Sequence, residues 1–287
     1  MEIKFWGTRG SIPVPGKNTI KYGGNTPCVE VKTTNGKTII LDAGSGIREL
    51  GNYLVKNNSA QILIFISHYH WDHIQGIPFF APLYDKNKSI IFYGLHSLGT
   101  GIEKLLKNQM NPNHFPVNFS QFNADISFKD ISVNEVFNID EIKIETLMVN
   151  HPAPALTYKI TEDSKTLIYM TDNEIKLNEN NPDDLEQIEK LNHDSINFCS
   201  EADYLIHDAM YDESLIKGKK GWGHSSNISL AYFSILAKVK NLILFHYNPD
   251  FTDEKIDNLL EETKGFIKGK NSRINCLASK EGLQIII

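Results

Sequence analysis

Cysteine is scarce in this chain. Cys28, Cys199 and Cys276 lie far apart among 287 residues, with no Cys-x-x-Cys pair and no even-numbered set. A disulfide framework is thereby excluded, and the three thiols are expected to be reduced and buried. Long apolar runs are missing too: no window reaches the roughly 18 uncharged apolar residues of a spanning helix, so no membrane segment is expected. The opening MEIKFWGTRGS enters a strand-like run without a basic, apolar, small-residue signal pattern, so the expected location is cytoplasmic. A surplus of basic residues is also lacking, with 29 Lys and Arg against 35 Asp and Glu and a formal net charge of -6. Affinity for long nucleic acid comes from many cationic contacts to phosphates, so gripping a long nucleic acid is not the expected task. One short anionic substrate stays compatible with this balance, and so does assembly as a homodimer.

What is present reads as a soluble globular protein, 41% hydrophobic and 22% charged. One domain over 1–287 is the expectation at this length. The first third is rich in β-runs: IKFW (3–6), CVEVKT (28–33), KTIILD (37–42), ILIFIS (62–67) and SIIFYG (89–94), with Asn35-Gly36 as a hairpin turn. Apolar spacing predicts a helix over 47–57. Further on, helices are expected near 101–110, 183–200, 227–238 and 252–268, and strands near 125–128, 142–149, 156–161, 165–171, 204–208, 242–246 and 283–287. Sheets alternating with helices in both halves predict an α/β protein with two sheets face to face and helices outside, a four-layer αββα arrangement. The Asn-rich 178–181 reads as a loop. The acidic 182–189 reads as a solvated helix start with Asp183 and Asp184 near its amino end, or more sharply as a lid or dimer contact.

The strongest chemical signal is Ser67-His68-Tyr69-His70-Trp71-Asp72-His73, which leaves the apolar run ILIFI ahead of a helix expected around 74–76. Imidazole nitrogen and carboxylate oxygen suit zinc and related divalent metals. Alternate residues of an extended segment project the same way, so His68 and His70 can share one ion, with Asp72 and His73 turned toward a second. A plain helix cap would explain Asp72 but not three histidines.

This pattern, His-x-His-x-Asp-His after a hydrophobic strand, resembles the signature of the metallo-β-lactamase superfamily. The resemblance implies a metallo-β-lactamase sandwich and further ligands at later strand ends, which His151 before Pro152-Ala153-Pro154, Asp172 closing KTLIYMTD and His246 in NLILFHYNP match in order. Carried over, it implies His68, His70 and His151 on one ion, Asp72, His73 and His246 on the other, and Asp172 between them. It implies two divalent ions, zinc first, with manganese or iron accommodated by the same donors. The shared hydroxide of such a site would attack a phosphodiester, with Asp72 accepting its proton.

Leu205-Ile206-His207-Asp208 and Gly221-Trp222-Gly223-His224 resemble a paired motif of the phosphodiesterase branch that holds ribonuclease Z and the small cyclic-phosphodiester hydrolases. There the loop histidine faces the scissile phosphate and the acid orients it, which implies catalytic roles for His224 and Asp208. The 21 residues from His151 to Asp172 leave no room for a long tRNA-binding arm. The expected substrate is therefore a small or cyclic phosphodiester such as a cyclic nucleotide. The alternatives are a tRNA 3′-processing endonuclease, a thioesterase or lactonase, and a non-catalytic metal-binding sensor. By the same resemblance Asp42 supports the ligand loop without touching metal, and Arg9 either holds a phosphate oxygen or bonds turn carbonyls. His96 and His193 read as bland surface residues, and His207 as turned away from Asp208 by strand alternation. His114 could border the substrate mouth. Phe115, Phe119 and Phe122 read as core or lid packing before base stacking.

Overall fold

The computed structural model describes residues 1–57, 60–113, 115–178, 181 and 184–287. His114, two residues of the Asn-rich loop and residues 182–183 of the acidic segment lie outside these. The chain divides into two compact units, Met1–Val133 with Lys280–Ile287, and Asn134–Ser279.

In the first unit, β1 (Glu2–Gly7), β2 (Cys28–Lys32) and β3 (Thr38–Leu41) precede α1 (Ile47–Lys56), and β4 (Gln61–Ile66) leads into the short α2 (Trp71–Ile74). Next come β5 (Ser89–Leu95), α3 (Ile102–Asn108) and β6 (Asp125–Ile131). The second unit runs β7 (Val136–Ile139), β8 (Ile142–Met148), β9 (Leu156–Glu162), β10 (Lys165–Met170), α4 (Leu185–Leu191), α5 (His193–Phe198) and β11 (Tyr204–Asp208). It ends with α6 (Asn227–Leu236), β12 (Asn241–Phe245), α7 (Asp253–Gly269) and β13 (Asn275–Ala278), after which β14 (Gln284–Ile286) pairs with β1 in the first unit.

Each unit holds one seven-stranded sheet, ordered β14-β1-β2-β3-β4-β5-β6 in the first and β13-β12-β11-β10-β9-β8-β7 in the second. The two follow one plan. Four strands pair antiparallel (β14 to β3, and β7 to β10), and the last of them begins a parallel run (β3 to β6, and β10 to β13). Three strands of the parallel runs are near-continuous apolar segments buried on both faces: TIIL in β3, ILIFI in β4 and LILF in β12. α1 buries Ile47, Leu50, Gly51 and Leu54, the one-sided spacing of an amphipathic helix. The Asn35-Gly36 turn joins β2 to β3, with Gly36 at φ +79° where a side chain would be strained.

Three expectations are corrected. The helix expected around 74–76 begins at Trp71, so Asp72 and His73 ride its first turn, with His70 at the N-cap. The single helix over 183–200 is two, α4 and α5, broken at Asn192. That side chain bonds both the N–H and the C=O of Lys176 at 2.9 Å, a tertiary clasp that competes with helix continuation. Strands β7 and β13 were not foreseen. Both are four residues long, and their apolar pattern is too short to read alone. Asp184 caps α4 by accepting from Gln187 N–H, and all three cysteines are free and buried. Burial raises each thiol, that of Cys276 to about 12.

Glycines let the loops after β3 and α2 pass close to one another. A Cβ on Gly76 would stand 2.1 Å from the Gly44 carbonyl oxygen, and Gly76 N–H donates to Ala43 C=O at 2.9 Å. Gly76→Ala must push backbone against backbone, an overpacking cost of about 1–3 kcal/mol. At roughly 2–4 °C per kcal/mol, thermal unfolding should register a Tm several degrees lower. An unchanged Tm would show that these loops yield freely.

Candidate functional site

In the first unit the His68–His73 cluster sits where β4 ends and α2 begins. Its support comes from the neighbouring strand end. Asp42 follows β3 with φ at +59°, fully buried, and its Oδ1 accepts from Ser67 N–H at 2.7 Å. Its Oδ2 accepts from Ser67 Oγ at 2.8 Å and lies 2.7 Å from His73 Nδ1. A carboxylate on Nδ1 fixes the ring and turns Nε2 outward, the usual arrangement behind a metal-binding imidazole. His73 Nε2 lies 3.4 Å from Asp72 Oδ2, which also accepts from Ser11 N–H at 2.7 Å. The His68 ring centroid is 4.6 Å from that of His70 and 4.2 Å from that of His73. Four donors thus converge on one strand end.

In the second unit the strand ends do the same work. Asp172 follows β10 at φ +51°, and His246 follows β12 at φ +56°. Their side chains meet, with His246 Nε2 3.2 Å from Asp172 Oδ1, while His151 Nε2 lies 3.9 Å from Asp172 Oδ2. His151 Nδ1 is 2.9 Å from the Ala153 carbonyl, so a backbone acceptor fixes this ring. Asp208 ends β11 with its carboxylate fully buried. Oδ2 lies 2.7 Å from His224 Nδ1, and Oδ1 accepts from Ser225 N–H at 2.9 Å. The loop carrying His224 is pinned by Glu174, whose carboxylate accepts from the N–H groups of Gly221 and Gly223 at 2.8 and 3.0 Å. Gly223, at φ +84°, comes so near His151 that a Cβ would stand 2.2 Å from its ring. Asp172, His224 and His246 present donor atoms within 4.8 Å of one another.

The other predicted residues divide clearly. Arg9 is fully buried, and its Nε donates to the Gly23 carbonyl at 2.9 Å, so it bonds turn carbonyls as one of its two expected roles had it. His207 is buried with Nδ1 2.8 Å from Asp208 C=O and Nε2 3.0 Å from Asn173 Nδ2. Burial holds its pKa below the ordinary histidine value despite the neighbouring carboxylates, which suits a neutral ring accepting from the Asn173 amide. His96 stands just past β5, half exposed, 3.3 Å from Asp130. His193 begins α5 beside Asn197. Phe119 and Phe122 belong to the core of the first unit, and Phe115 packs against it. Sequence reasoning missed Ser11, Ser67 and Glu174, which act through backbone groups or through another side chain. It missed Tyr211 as well, whose ring lies 5.9 Å from that of His224. Burial and the Asp208, Glu174 and Asp172 charges push its hydroxyl up to about 12, so it stays protonated.

The donor chemistry fits divalent metal. Imidazoles and carboxylates are gathered at strand ends, the rings of His73, His151 and His224 have their Nδ1 edge occupied by an acceptor, and the left-handed backbone at Asp42, Asp172 and His246 carries strain of about 1–3 kcal/mol each. Such outliers beside donor side chains, in each unit, point to function.

A family model described as Anti-Pycsar protein Apyc1 matches residues 24–270. Ribonuclease Z of Thermoplasma acidophilum is 26% identical over 306 residues, covering 92% of this chain and 91% of that protein. Among solved structures, the metallo-β-lactamase fold protein YhfI from Bacillus subtilis aligns with a TM-score of 0.71 and 19% identity, over 99% of this chain and 98% of that one. A diphosphatase of the PhnP family gives 0.68 at 17% identity, over 100% and 97%. Human short-form tRNase Z gives 0.65 at 18% identity, over 100% and 99%. The fold is the α/β metallo-β-lactamase fold, as the His-x-His-x-Asp-His resemblance implies.

Asp42→Asn keeps the shape of the side chain but removes the charge behind His73 Nδ1 and one acceptor of its network. Loss of such a partner typically costs 10–100-fold in metal affinity. Zinc titration of metal-stripped protein should show that weakening. Equal affinity for wild type and variant would refute the supporting role.

Proposed function

We propose that this chain, which belongs to the Anti-Pycsar protein Apyc1 family, hydrolyses a small or cyclic phosphodiester such as a cyclic nucleotide, with residues 1–287 working as one hydrolase domain. That it is a metal-dependent hydrolase is supported by its fold, its relatives and its His/Asp clusters. The assignment of ligands is our reading: His68, His70 and His151 would hold one divalent ion, Asp72, His73 and His246 a second, with Asp172 shared. Zinc is the first expectation for this donor set. When bound, such a pair supplies an acidified water and offsets charge on the phosphoryl oxygens.

The observation that carries the phosphodiester reading is the contact of His224 with Asp208. Asp208, buried at the end of β11, anchors both His224 Nδ1 and the Ser225 N–H, so ring and loop are held together. This directs the opposite ring nitrogen away from the carboxylate, where it can deliver a proton to a departing alkoxide. A thioesterase or lactonase has less use for such a donor. In this reading Asp72, whose Oδ2 accepts from Ser11 N–H, would accept the proton of the attacking water.

A second reading, tRNA 3′ processing, is favoured by the ribonuclease Z relatives. Against it stand the acidic balance of the chain and the interval from His151 to Asp172, which holds only the β9–β10 hairpin. His224→Ala should keep its full metal content, by elemental analysis, while turnover on 3′,5′-cyclic nucleotides falls about 10²–10⁴-fold. Unchanged turnover would remove His224 from the chemistry. Efficient cleavage of precursor tRNA by wild type, with none on cyclic nucleotides, would establish the second reading instead.

A further inference from the structure

A cavity of about 550 Å³ opens in the second unit, with His224 on its wall. This is well within the range of small-molecule sites, about 300–1,000 Å³. Part of its lining is aliphatic, formed by Ile175 and Leu177 from the segment after Asp172, Leu191 at the end of α4, and Ile216, beside the polar Asn150, Glu174 and Ser229. Leu191 is 42% exposed. Lys176 and Lys220 also line it.

Hydrogen bonds hold the walls in place. Asn192 clasps both backbone groups of Lys176, and Glu174 pins the glycines ahead of His224. Ser225 Oγ donates to Asn173 C=O at 2.5 Å and lies 3.1 Å from Ile175 N–H, tying the segment after Asp172 to the His224 loop. A cavity held in shape before binding costs its ligand little ordering. Neither the proposed attack nor the proposed proton transfer uses these aliphatic walls.

Resting on the phosphodiesterase reading, we infer that this cavity receives the nucleoside portion of the substrate on its leaving side. The leaving oxygen is the one that takes the proton from His224, so the alcohol attached to it lies on the His224 side of the phosphorus. His224 is part of this cavity's wall. The aliphatic side chains suit the flat faces of a sugar and base, and the two lysines supply donors for ring carbonyls or hydroxyls. For a 3′,5′-cyclic nucleotide, water adds to phosphorus, one P–O ester bond breaks, and the sugar oxygen leaves with the His224 proton. The mononucleotide product keeps its nucleoside in the cavity.

The test is calorimetry on the zinc-loaded protein with a nucleoside monophosphate and, separately, inorganic phosphate. Leu191→Trp fills the cavity from a half-exposed position that tolerates bulk, and Ile216→Trp fills it from another wall. Each should weaken mononucleotide binding at least tenfold and leave phosphate binding within twofold. In kinetics, KM for a 3′,5′-cyclic nucleotide should rise while turnover of ethylene phosphate, which has no nucleoside, stays within twofold. Unaltered mononucleotide affinity in both variants, or an equal loss for phosphate, overturns the inference, as does wild-type protein that binds mononucleotide no better than phosphate. Mononucleotide binding that the wedges abolish, in a protein without phosphodiester turnover, would uphold the cavity's role and refute the proposed reaction.

Discussion

In each sheet, parallel strands that end on residues in left-handed backbone are the constraint on which the unit is organised. Where β3, β10 and β12 end, the chain must turn sharply out of the sheet, and it does so on Asp42, Asp172 and His246 rather than on glycine. The side chains of these residues then meet polar partners: Asp42 meets Ser67 and His73, and Asp172 meets His246. Strands buried on both faces supply the packing that sustains the strain, because displacing any one of them would disturb a tightly filled interior. The polar network at Asp42 shows the result: one carboxylate fixes Ser67 and His73 together.

The shared plan of the two sheets gives this constraint twice. β3 and β10 each close an antiparallel set and open a parallel one, and an aspartate in left-handed geometry follows both. β4 leads to Ser67 and His68, while β11 ends in Asp208. β5 and β12 are each followed by a histidine, yet the outcomes differ. His246 is buried against Asp172, whereas His96 stands half exposed beside Asp130. Equivalent positions in a sheet therefore do not dictate equal roles. What the surrounding loops place beside each ring decides whether it is a donor in a cluster or a surface residue.

Much of the fold was legible because apolar runs and turn residues are local signals. The strands ending at Ile66, Met170 and Phe245 were marked by dense β-branched and aromatic residues, and the helix from Ile47 by its one-sided spacing. The break at Asn192 was not legible, since the groups its amide bonds belong to Lys176, 16 residues away in sequence. The start of α2 at Trp71 was also hidden, because three histidines and a tryptophan carry no helix signal of their own. That Arg9 is buried with its Nε on the Gly23 carbonyl was likewise not legible, because the contact spans 14 positions.

By itself the sequence determined which residues could bear the chemistry: histidines and aspartates at the ends of apolar strands, and a glycine-flanked His224. Strand ends and donor types are properties of short segments, so they survive without knowledge of the fold. Only the tertiary structure decided what each side chain meets. It set Asp208 against His224, Glu174 against the Gly221 and Gly223 amides, and Asp42 against His73, and it opened a cavity beside His224 from four separated segments. Those contacts join residues 16 to 49 positions apart. Their existence depends on how strands order within a sheet, which no local pattern records.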